Sequence, residues 1–371
     1  MAEPIRVCQV VGNMMGGGVE HVVMNYFKHI DHNHIEFDFV ITDSSIVVPH
    51  EQIEHGGGRI FIVPSYKNLP AFESALFALF RAHPEWRIVH SHMNALSVFP
   101  LRQAERAGVP VRIAHSHSAF GYGEPLRNVA KLFLRRFSNR YPTNRFACSK
   151  TAGDWLFGKG KPYEVVYNAI DLARFAFDSE VRAEVRSELG IPAETFVVGH
   201  VGRFMQTKNQ GFLVNAFANM LSARPDSRLV FAGTGKDEMA VRQRAEGLGI
   251  SGKVLFLGQR DDSHRLYQAF DVVALPSLYE GLGLVAIEAQ ASGLPCLLSD
   301  RIPKEADLTG LCRYIPIGDP QVWADALTEL ELRDGDVRAA CDHSDFVNYD
   351  IDEQAARLTD RYLKLDEGVG R

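Results

Sequence analysis

The sequence contains no long hydrophobic run and little cysteine. No stretch of about 18 uninterrupted apolar residues occurs, and the opening MAEPIRV has neither a basic region nor a long apolar one. We therefore expect a protein that is neither exported nor membrane-spanning. Its five cysteines form an odd set without CxxC or Cys/His ligand spacing, so we interpret them as reduced core thiols of a cytoplasmic protein.

Charge of one sign is not in large excess either. A net charge of −6 over 371 residues gives no sign of a nucleic-acid-binding surface, and we expect no nucleic-acid partner. The chain is longer than one hydrophobic core usually supports, which favours two domains.

Short β-branched runs alternate with longer amphipathic segments along the whole chain, as is typical of parallel α/β sheets. Two such series occur, and each opens with an apolar strand that leads into a glycine-containing loop. The pattern predicts two Rossmann-like, doubly wound domains facing across a cleft, comprising residues 1–175 and 176–349. The apolar stripe of residues 351–365 predicts a C-terminal helix, and we expect the segment 350–365 to pack back on the first domain. The predicted strands are 6–11, 36–42, 59–63, 87–92, 111–116, 145–149 and 163–168, then 195–203, 228–233, 253–258, 271–276, 295–299 and 312–317.

Three glycines, Gly16, Gly17 and Gly18, precede the first predicted helix. Backbone amides at such a helix N-terminus can approach an anion or a sugar closely. The alternative is a tight turn without a ligand. The loop does not match the dinucleotide fingerprint GxGxxG, and the second strand ends at Thr42 without an acidic residue for a ribose.

Two cations and two carboxylates follow strands of the second series. Arg203 and Lys208 are placed to neutralise a diphosphate, although solvated surface charges are the usual alternative. Glu280 and Glu288 flank a Gly-Leu-Gly turn, and a helix beginning at Leu284 would offer amide donors to phosphate. Since carboxylates repel phosphate, we expect the two glutamates to bind hydroxyl groups. The alternatives are a hydrolytic acid/base pair or a surface helix with incidental acids.

These motifs together resemble the retaining, GT-B-fold glycosyltransferases of family 4 over nearly the whole chain. The resemblance is carried by the Glu-x7-Glu element, GRF with the following lysine, AGTGK (232–236), LFLGQ (255–259) and YNAID (167–171). The stretch LYEGLGLVAIEAQASGLPCLLSDRIPKEA is especially similar to the branch that makes bacterial exopolysaccharides and capsules.

The resemblance implies a role for each matching position in a retaining transferase that needs no metal or other cofactor. Arg203 and Lys208 would hold the diphosphate of a nucleotide sugar, with UDP as the most common choice. Glu288 would bind the ribose and Glu280 the sugar hydroxyls near the reacting carbon. The other implied donor contacts are the backbone of Gly281, Leu282 and Gly283, Gly233 in AGTGK, and the region of Arg260. The implied acceptor is a glycan or a polyprenyl-linked glycan.

The resemblance also implies that the loop of Gly16, Gly17 and Gly18 and a histidine of the first domain face the cleft from the acceptor side. Two His-Ser-His triplets compete for the role of that histidine. His90 and His92 end one strand, while His115 and His117 end the next. Alternation places both imidazoles of a triplet on the same face. By the resemblance we favour His117 as the sugar-contacting residue, with His115 as the second choice. Hydrogen-bonded strand-end histidines are the alternative, particularly for His92.

Two Asp-x-Asp patterns resemble the divalent-metal motif of other glycosyltransferases. Neither Asp334 and Asp336 nor Asp350 and Asp352 follow a strand. We interpret the first pair as a polar turn and the second as a helix N-cap, so we predict no metal site.

Residues 126–146 carry six cations and no acid, with apolar residues at helical spacing. Such a segment could bind an anionic membrane surface and hold the protein on the inner face of the cell membrane. The alternative is a domain helix with its apolar side in the core. The cations are Arg127, Lys131, Arg135, Arg136, Arg140 and Arg145.

Two other functions fit the same architecture. A nucleotide-sugar 2-epimerase would bind the same donor without an acceptor, and a catalytically silent binding protein would keep the fold but could lose the charged residues. The presence of all four charged residues favours a transferase.

Overall fold

The computed structural model describes residues 3–117, 125–330 and 335–369, which divide into two compact units. The N-terminal unit contains the chain up to Asp171 and again from Asn348 onward, and the C-terminal unit contains Leu172–Val347. The division after Asp171 lies slightly before the predicted boundary at residue 175.

The N-terminal unit is built on a seven-stranded sheet in the order β3-β2-β1-β4-β5-β6-β7, and every pairing is parallel. All seven runs predicted in this half form strands, although the last is much shorter than predicted. The order reverses between β1 and β4, which is the switch point where doubly wound sheets bind ligands. The strands are β1 (Ile5–Gly12), β2 (Ile35–Thr42), β3 (Arg59–Val63), β4 (Ile88–Ser91), β5 (Val111–Ser116), β6 (Asn144–Ala147) and β7 (Glu164–Val165).

Helices connect these strands, as the longer amphipathic segments predict. The core on one side of the sheet contains Trp86, Phe72 and Leu76, all fully buried. The helices are α1 (Gly18–His29), α2 (His50–His55), α3 (Leu69–Ala82), α4 (Val98–Ala107), α5 (Pro125–Arg135) and α6 (Lys150–Phe157).

The C-terminal unit has a six-stranded parallel sheet in the order β10-β9-β8-β11-β12-β13, with its switch point between β8 and β11. All six predicted runs form strands. The strands are β8 (Phe196–Val201), β9 (Ser227–Ala232), β10 (Val254–Phe256), β11 (Val272–Leu275), β12 (Cys296–Ser299) and β13 (Cys312–Ile315). The helices are α7 (Leu172–Phe175), α8 (Ser179–Glu188), α9 (Gln210–Met220), α10 (Glu238–Gly247), α11 (Ser263–Ala269), α12 (Leu284–Ala291), α13 (Pro320–Glu329) and α14 (Gly335–Ala339).

The last helix, α15 (Ile351–Glu367), belongs to the N-terminal unit. Asp350 caps it by accepting a hydrogen bond from the amide of Asp352 at 3.0 Å. The predicted stripe is buried at Ile351, Ala355, Leu358 and Tyr362, and the helix packs against α1. The stripe therefore completes the core of the N-terminal unit.

No helix of the described ranges is long and apolar enough to cross a membrane. The five cysteines are free, and Cys8, Cys148 and Cys296 are buried.

Candidate functional site

The two central strands of the C-terminal sheet, β8 and β11, bring the predicted charged loops together at their carboxyl ends. The loop after β8 contains a short 3-10 helix (Gln206–Lys208), and the loop after β11 leads to α12. The amide of Leu278 donates a hydrogen bond of 2.7 Å to the carbonyl of Thr207. This bond fixes one loop against the other.

Lys208 and Glu280 form a partly buried ion pair within these loops. Lys208 Nζ lies 2.5 Å from Glu280 Oε1, and the side chains are 19% and 12% exposed. The hydroxyl of Ser277 donates a second hydrogen bond to the same oxygen at 2.7 Å. The second carboxylate oxygen, Oε2, takes part in neither bond. The sequence reasoning did not identify Ser277 and did not anticipate that the lysine would pair with the glutamate.

Arg203, the other predicted cation, is exposed. Within the described residues no ion pair engages its guanidinium, while its carbonyl accepts a hydrogen bond of 2.9 Å from the amide of Gln210. Of the two predicted cations, the structure therefore brings only Lys208 into contact with the carboxylates. A charged and solvated arginine beside the pair remains able to reach an anion.

Glu288 lies on α12 and is held by a tyrosine that sequence reasoning missed. Tyr267, fully buried on α11, donates a hydrogen bond of 2.6 Å to Glu288 Oε2. Burial raises the pKa of Glu288 to about 7, against smaller lowering effects of the Tyr267 hydroxyl and the Lys208 charge. The carboxyl group can thus both accept and donate hydrogen bonds near neutral pH, which suits it to bind hydroxyl groups.

Glycines let the backbone of this region come close together. Gly233 has φ +134°, and a Cβ there would lie 2.3 Å from the carbonyl oxygen of Gly202. Gly283 has φ +87° and caps α12, following Gly281 and the buried Leu282. A side chain at Gly233 would force apart the loops after β8 and β9, so the position requires glycine.

The predicted contact region at Arg260 lies in the loop that precedes α11. The guanidinium of Arg260 forms two hydrogen bonds with the carboxylate of Asp262, from Nε at 2.7 Å and from Nη2 at 2.6 Å. The ion pair therefore fixes the side chain of Arg260 against the turn that leads into α11.

His200, on β8, is a further residue that sequence reasoning missed. Its Nδ1 lies 2.8 Å from the carbonyl of Ala274, which identifies Nδ1 as the protonated nitrogen, and its buried Nε2 has no partner within the described residues. Burial lowers the pKa of His200 to about 4, and Lys208 and Glu280 are near enough to affect it. The residue therefore presents an uncharged lone pair beside the ion pair.

The glycine loop of the N-terminal unit differs from the expectation of free amides. Glu20, in the first turn of α1, accepts hydrogen bonds from the amides of Gly17 and Met15, the latter at 3.2 Å. The carboxylate occupies two of the backbone donors of the loop and adds a negative charge there. Gly16, at φ +72°, and Gly18 therefore belong to a capped turn that does not favour an anion.

The two His-Ser-His triplets form one buried cluster at the ends of β4 and β5. The two imidazoles of each triplet lie on the same face, as predicted, with ring centroids 4.2 Å apart for His90 and His92 and 4.0 Å apart for His115 and His117. Burial is the main cause that lowers the pKa of all four, that of His117 to about 4. These imidazoles are therefore neutral near pH 7.

Nitrogen atoms of His90, His92 and His115 lie within 4.8 Å of one another, which is the only grouping in the described part of the chain that could hold a metal ion. Asp350 is the N-cap of α15, as predicted, and Asp336 lies in α14. Asp334 lies outside the described residues.

Helix α5 exposes apolar residues. Val129, Leu132 and Phe133 are 65%, 41% and 57% exposed, whereas Leu134 packs against the core of the unit. The segment therefore combines exposed apolar side chains with others, Leu134 and Tyr141, that pack against the core, and both interpretations of it remain predictions.

Comparison with known proteins agrees with this geometry. A family model described as "Glycosyltransferase Family 4" matches residues 16–174, and one described as "Glycosyl transferases group 1" matches residues 181–341. EpsF of Bacillus subtilis, which bears the name of a glycosyltransferase, is 34% identical over 87% of this chain and 86% of its own length. The UDP-Gal:alpha-D-GlcNAc-diphosphoundecaprenol alpha-1,3-galactosyltransferase of Escherichia coli is 26% identical over 80% and 79%.

Solved structures show the same architecture. HepE of Anabaena in complex with UDP-glucose matches with a TM-score of 0.77 at 18% identity, over 95% of this chain and 99% of HepE. Sucrose-phosphate synthase of Thermosynechococcus elongatus matches with a TM-score of 0.75 at 18% identity, over 98% of this chain and 100% of that chain. These likenesses confirm the predicted GT-B fold of two parallel-sheet units.

Proposed function

The chain belongs to glycosyltransferase family 4, and from this premise we propose that it moves a sugar from a UDP-sugar to a glycan or lipid-linked glycan, with retention at the anomeric carbon. The observation that carries the proposal is the pairing of Lys208 with Glu280 at the carboxyl ends of β8 and β11, with Glu288 on the adjoining helix. A cation, two hydroxyl-binding carboxyl groups and a glycine turn are together the groups that a nucleotide sugar requires.

Each group has a proposed part in donor binding. Lys208 and the exposed Arg203 bind the diphosphate, and the N-terminus of α12 adds amide donors beside Gly283. Glu288 binds the ribose hydroxyls. Glu280 binds hydroxyls of the transferred sugar, since its Oε2 atom is used by neither Lys208 nor Ser277.

The proposed chemistry is a front-face displacement. The bond between the anomeric carbon and the diphosphate oxygen breaks, the acceptor oxygen bonds to the same face, and the acceptor proton passes to the leaving phosphate oxygen. Lys208 stabilises the negative charge that develops on the diphosphate. Neither a separate base nor a metal ion is required, and His117 binds a substrate hydroxyl.

The acceptor is proposed from a relative and from one surface. The name of the Escherichia coli relative contains a diphosphoundecaprenol-linked sugar as its acceptor. Helix α5 exposes Val129, Leu132 and Phe133 on a segment rich in arginine and lysine. We propose that this face binds an anionic membrane, which would bring a lipid-linked acceptor to the enzyme.

A two-step experiment tests the proposal. Thermal stabilisation by a panel of nucleotide sugars identifies the donor, because a ligand at about 100 times its Kd adds about 2.7 kcal/mol. Proton NMR of the purified chain with that donor, an undecaprenyl-diphosphate-linked sugar and EDTA then identifies the product. We expect released UDP and a product with the anomeric configuration of the donor sugar. An epimerised donor without transfer, an inverted product or full loss of activity in EDTA would each contradict a part of it.

A further inference from the structure

The buried histidines of the N-terminal unit lie in one chain of hydrogen bonds. His115 Nδ1 and His90 Nε2 are 3.0 Å apart, and His90 Nδ1 lies 2.6 Å from the hydroxyl of Tyr362 on α15. Gln9 Nε2 donates to the same hydroxyl at 3.2 Å. The chain therefore links β5, β4, the C-terminal helix and β1.

The chain continues from Gln9 to the predicted sugar-contacting residue. His92 Nε2 lies 2.8 Å from Gln9 Oε1, and His92 Nδ1 lies 2.8 Å from His117 Nε2. Gln9 and Tyr362 are 1% and 0% exposed, so water does not compete for these bonds. A neutral imidazole carries one proton, so each histidine donates through one nitrogen and accepts through the other. All the bonds must consequently run in the same direction.

The side-chain amide of Gln9 sets this direction. Its Nε2 donates to the hydroxyl of Tyr362, and its Oε1 faces His92 Nε2. An amide oxygen can only accept a hydrogen bond. His92 therefore carries its proton on Nε2 and uses Nδ1 as an acceptor.

The remaining assignments follow one by one. His90 donates from Nε2 to His115, Tyr362 donates to His90, and Gln9 donates to Tyr362. Gln9 Oε1 then accepts from His92 Nε2, and His92 Nδ1 accepts from His117 Nε2. The last nitrogen of the chain, Nδ1 of His117, is left with a lone pair, and it has no hydrogen-bond partner in the described part of the chain.

We propose that Gln9, His92 and Tyr362 are positioning residues that hold His117 as the Nε2-protonated tautomer, so that its Nδ1 accepts a hydrogen bond from a substrate hydroxyl. The choice of hydroxyl as ligand rests on the proposed function, whereas the tautomer does not. An accepting nitrogen selects a group that can donate, which a sugar hydroxyl can and a phosphate oxygen cannot.

The reverse direction is the competing arrangement. It would place a proton on His117 Nδ1 toward Asn168, whose Oδ1 is also buried without a partner in the described residues. It would also require the Gln9 amide to turn over, so that its nitrogen faced His92 and its oxygen faced Tyr362. The orientation of the Gln9 amide in the structure therefore favours the first direction.

A metal ion at His90, His92 and His115 is the other arrangement that competes for these atoms. Ligation would use lone pairs that the chain engages in hydrogen bonds, so a metal ion and the chain of hydrogen bonds exclude each other. The cavity beside them, about 10 Å³ and lined also by Gln9 and Tyr362, is at the lower limit for one water molecule.

Nitrogen NMR of the full chain with ¹⁵N-labelled histidine measures the tautomers directly, without substrate. Spectra of His92→Gln and His117→Gln assign the signals of the two residues. We expect an unprotonated Nδ1 and a protonated Nε2 for His117 at pH 7. A protonated Nδ1 on His117, or one bound metal ion per chain in the purified protein, would overturn the proposal.

Two variants with a matched control test the positioning role. Tyr362→Phe and Gln9→Leu break the chain, so His117 should show a mixture of tautomers. Sugar transfer should lose about tenfold in kcat, the value of one hydrogen bond, with little change in the KM for the donor. Tyr26→Phe removes another buried hydroxyl from the same cavity wall, one that donates to Tyr167 at 2.7 Å instead, and should change neither.

The outcomes separate this proposal from the proposed function. If the tautomer is as expected but His117→Gln transfers sugar normally, the role of His117 in transfer is wrong and the chain of bonds stands. If Tyr362→Phe keeps the tautomer of His117, the positioning role is wrong whatever the activity.

Discussion

Lys208 Nζ and Glu280 Oε1 lie 2.5 Å apart although 72 positions separate the two residues in the sequence. The loops after β8 and β11 bring them together, and Ser277 bonds to the same oxygen. Under the proposed function Lys208 also binds the diphosphate. Glu280 and the diphosphate then share one cation, which couples the sugar end of the donor to its phosphate end.

Replacing Lys208 by methionine should weaken UDP binding. A lost hydrogen bond to a charged group is worth about 1.5–3 kcal/mol, so we expect the Kd from calorimetry to rise about 10- to 100-fold. Lys159→Met, at an exposed lysine of the N-terminal unit, is the control and should bind UDP normally.

Stability can be separated from binding here. Lys208→Met leaves a partly buried carboxylate unpaired, whereas Lys208→Met with Glu280→Gln removes both charges and should recover most of the lost stability. The double variant should still bind UDP poorly. Normal UDP affinity in either variant would show that Lys208 does not bind the diphosphate.

Glu288 should make the free energy of unfolding depend on pH. Burial raises its pKa in the folded chain from 4.5 to about 7, so its protonated form favours folding. That contribution is complete below about pH 4.5 and is lost as the pH rises through 7, with an upper limit of about 3 kcal/mol. Denaturant unfolding measures this effect. Between pH 5 and pH 8 the free energy of unfolding should fall less for Glu288→Gln than for the unchanged chain.

The control for this measurement is Glu329→Gln, an exposed carboxylate paired with Arg313 at 2.9 Å. It should follow the pH dependence of the unchanged chain. If Glu288→Gln also follows it, the carboxyl group of Glu288 is ionised in the folded protein, and burial does not raise its pKa to about 7.

His200 should have the opposite effect in acid. Burial lowers its pKa from 6.5 to about 4, so the unfolded chain takes up a proton first as the pH falls. The stability it contributes is present above pH 6.5 and is lost as the pH falls through 4. Between pH 7 and pH 4.5 the free energy of unfolding, measured with denaturant, should fall less for His200→Gln than for the unchanged chain. His55→Gln, at an exposed residue, is the control and should follow the unchanged chain.

Helix α5 should be required for binding to anionic vesicles. Val129→Ser with Phe133→Ser removes two exposed apolar side chains, and we expect it to reduce co-sedimentation with phosphatidylglycerol vesicles at low and physiological salt. Met239→Ser, at a residue 65% exposed in the C-terminal unit, is the control. An unchanged chain that fails to bind at either salt concentration would contradict the membrane proposal.

The strands were the most predictable part of the structure. Runs such as RIFIV and VRIAHS became β3 and β5 without change, because short β-branched runs that alternate with amphipathic segments favour the strands of a parallel sheet. The run 163–168 yielded only Glu164–Val165, since it pairs with β6 at these two residues alone.

The partners of the site residues could not be predicted in the same way. Spacing predicted that Lys208, Glu280 and Glu288 lie near one sheet edge, but an ion pair depends on loop conformation, which has no period in the sequence. Tyr362 was visible only as a member of an apolar stripe, and nothing in that stripe indicates that its hydroxyl reaches Gln9 and His90.

The glycine loop was mispredicted because one sequence pattern fits two structures. Gly16–Gly18 before a helix predicted free amides, yet the carboxylate of Glu20, two residues into the helix, accepts hydrogen bonds from the amides of Gly17 and Met15. A glutamate in that position is a common cap, so the signal was present in VEHVV and competed with the expected ligand.

The rate of sugar transfer by Glu280→Gln tests the central claim most directly. Because Glu280 is proposed to bind the sugar at the reacting carbon, we expect kcat to fall about 100-fold or more, while UDP binds at least as tightly with Lys208 released. Glu305→Gln, at an exposed glutamate, is the control and should keep its rate. Undiminished transfer by Glu280→Gln would contradict the site assignment.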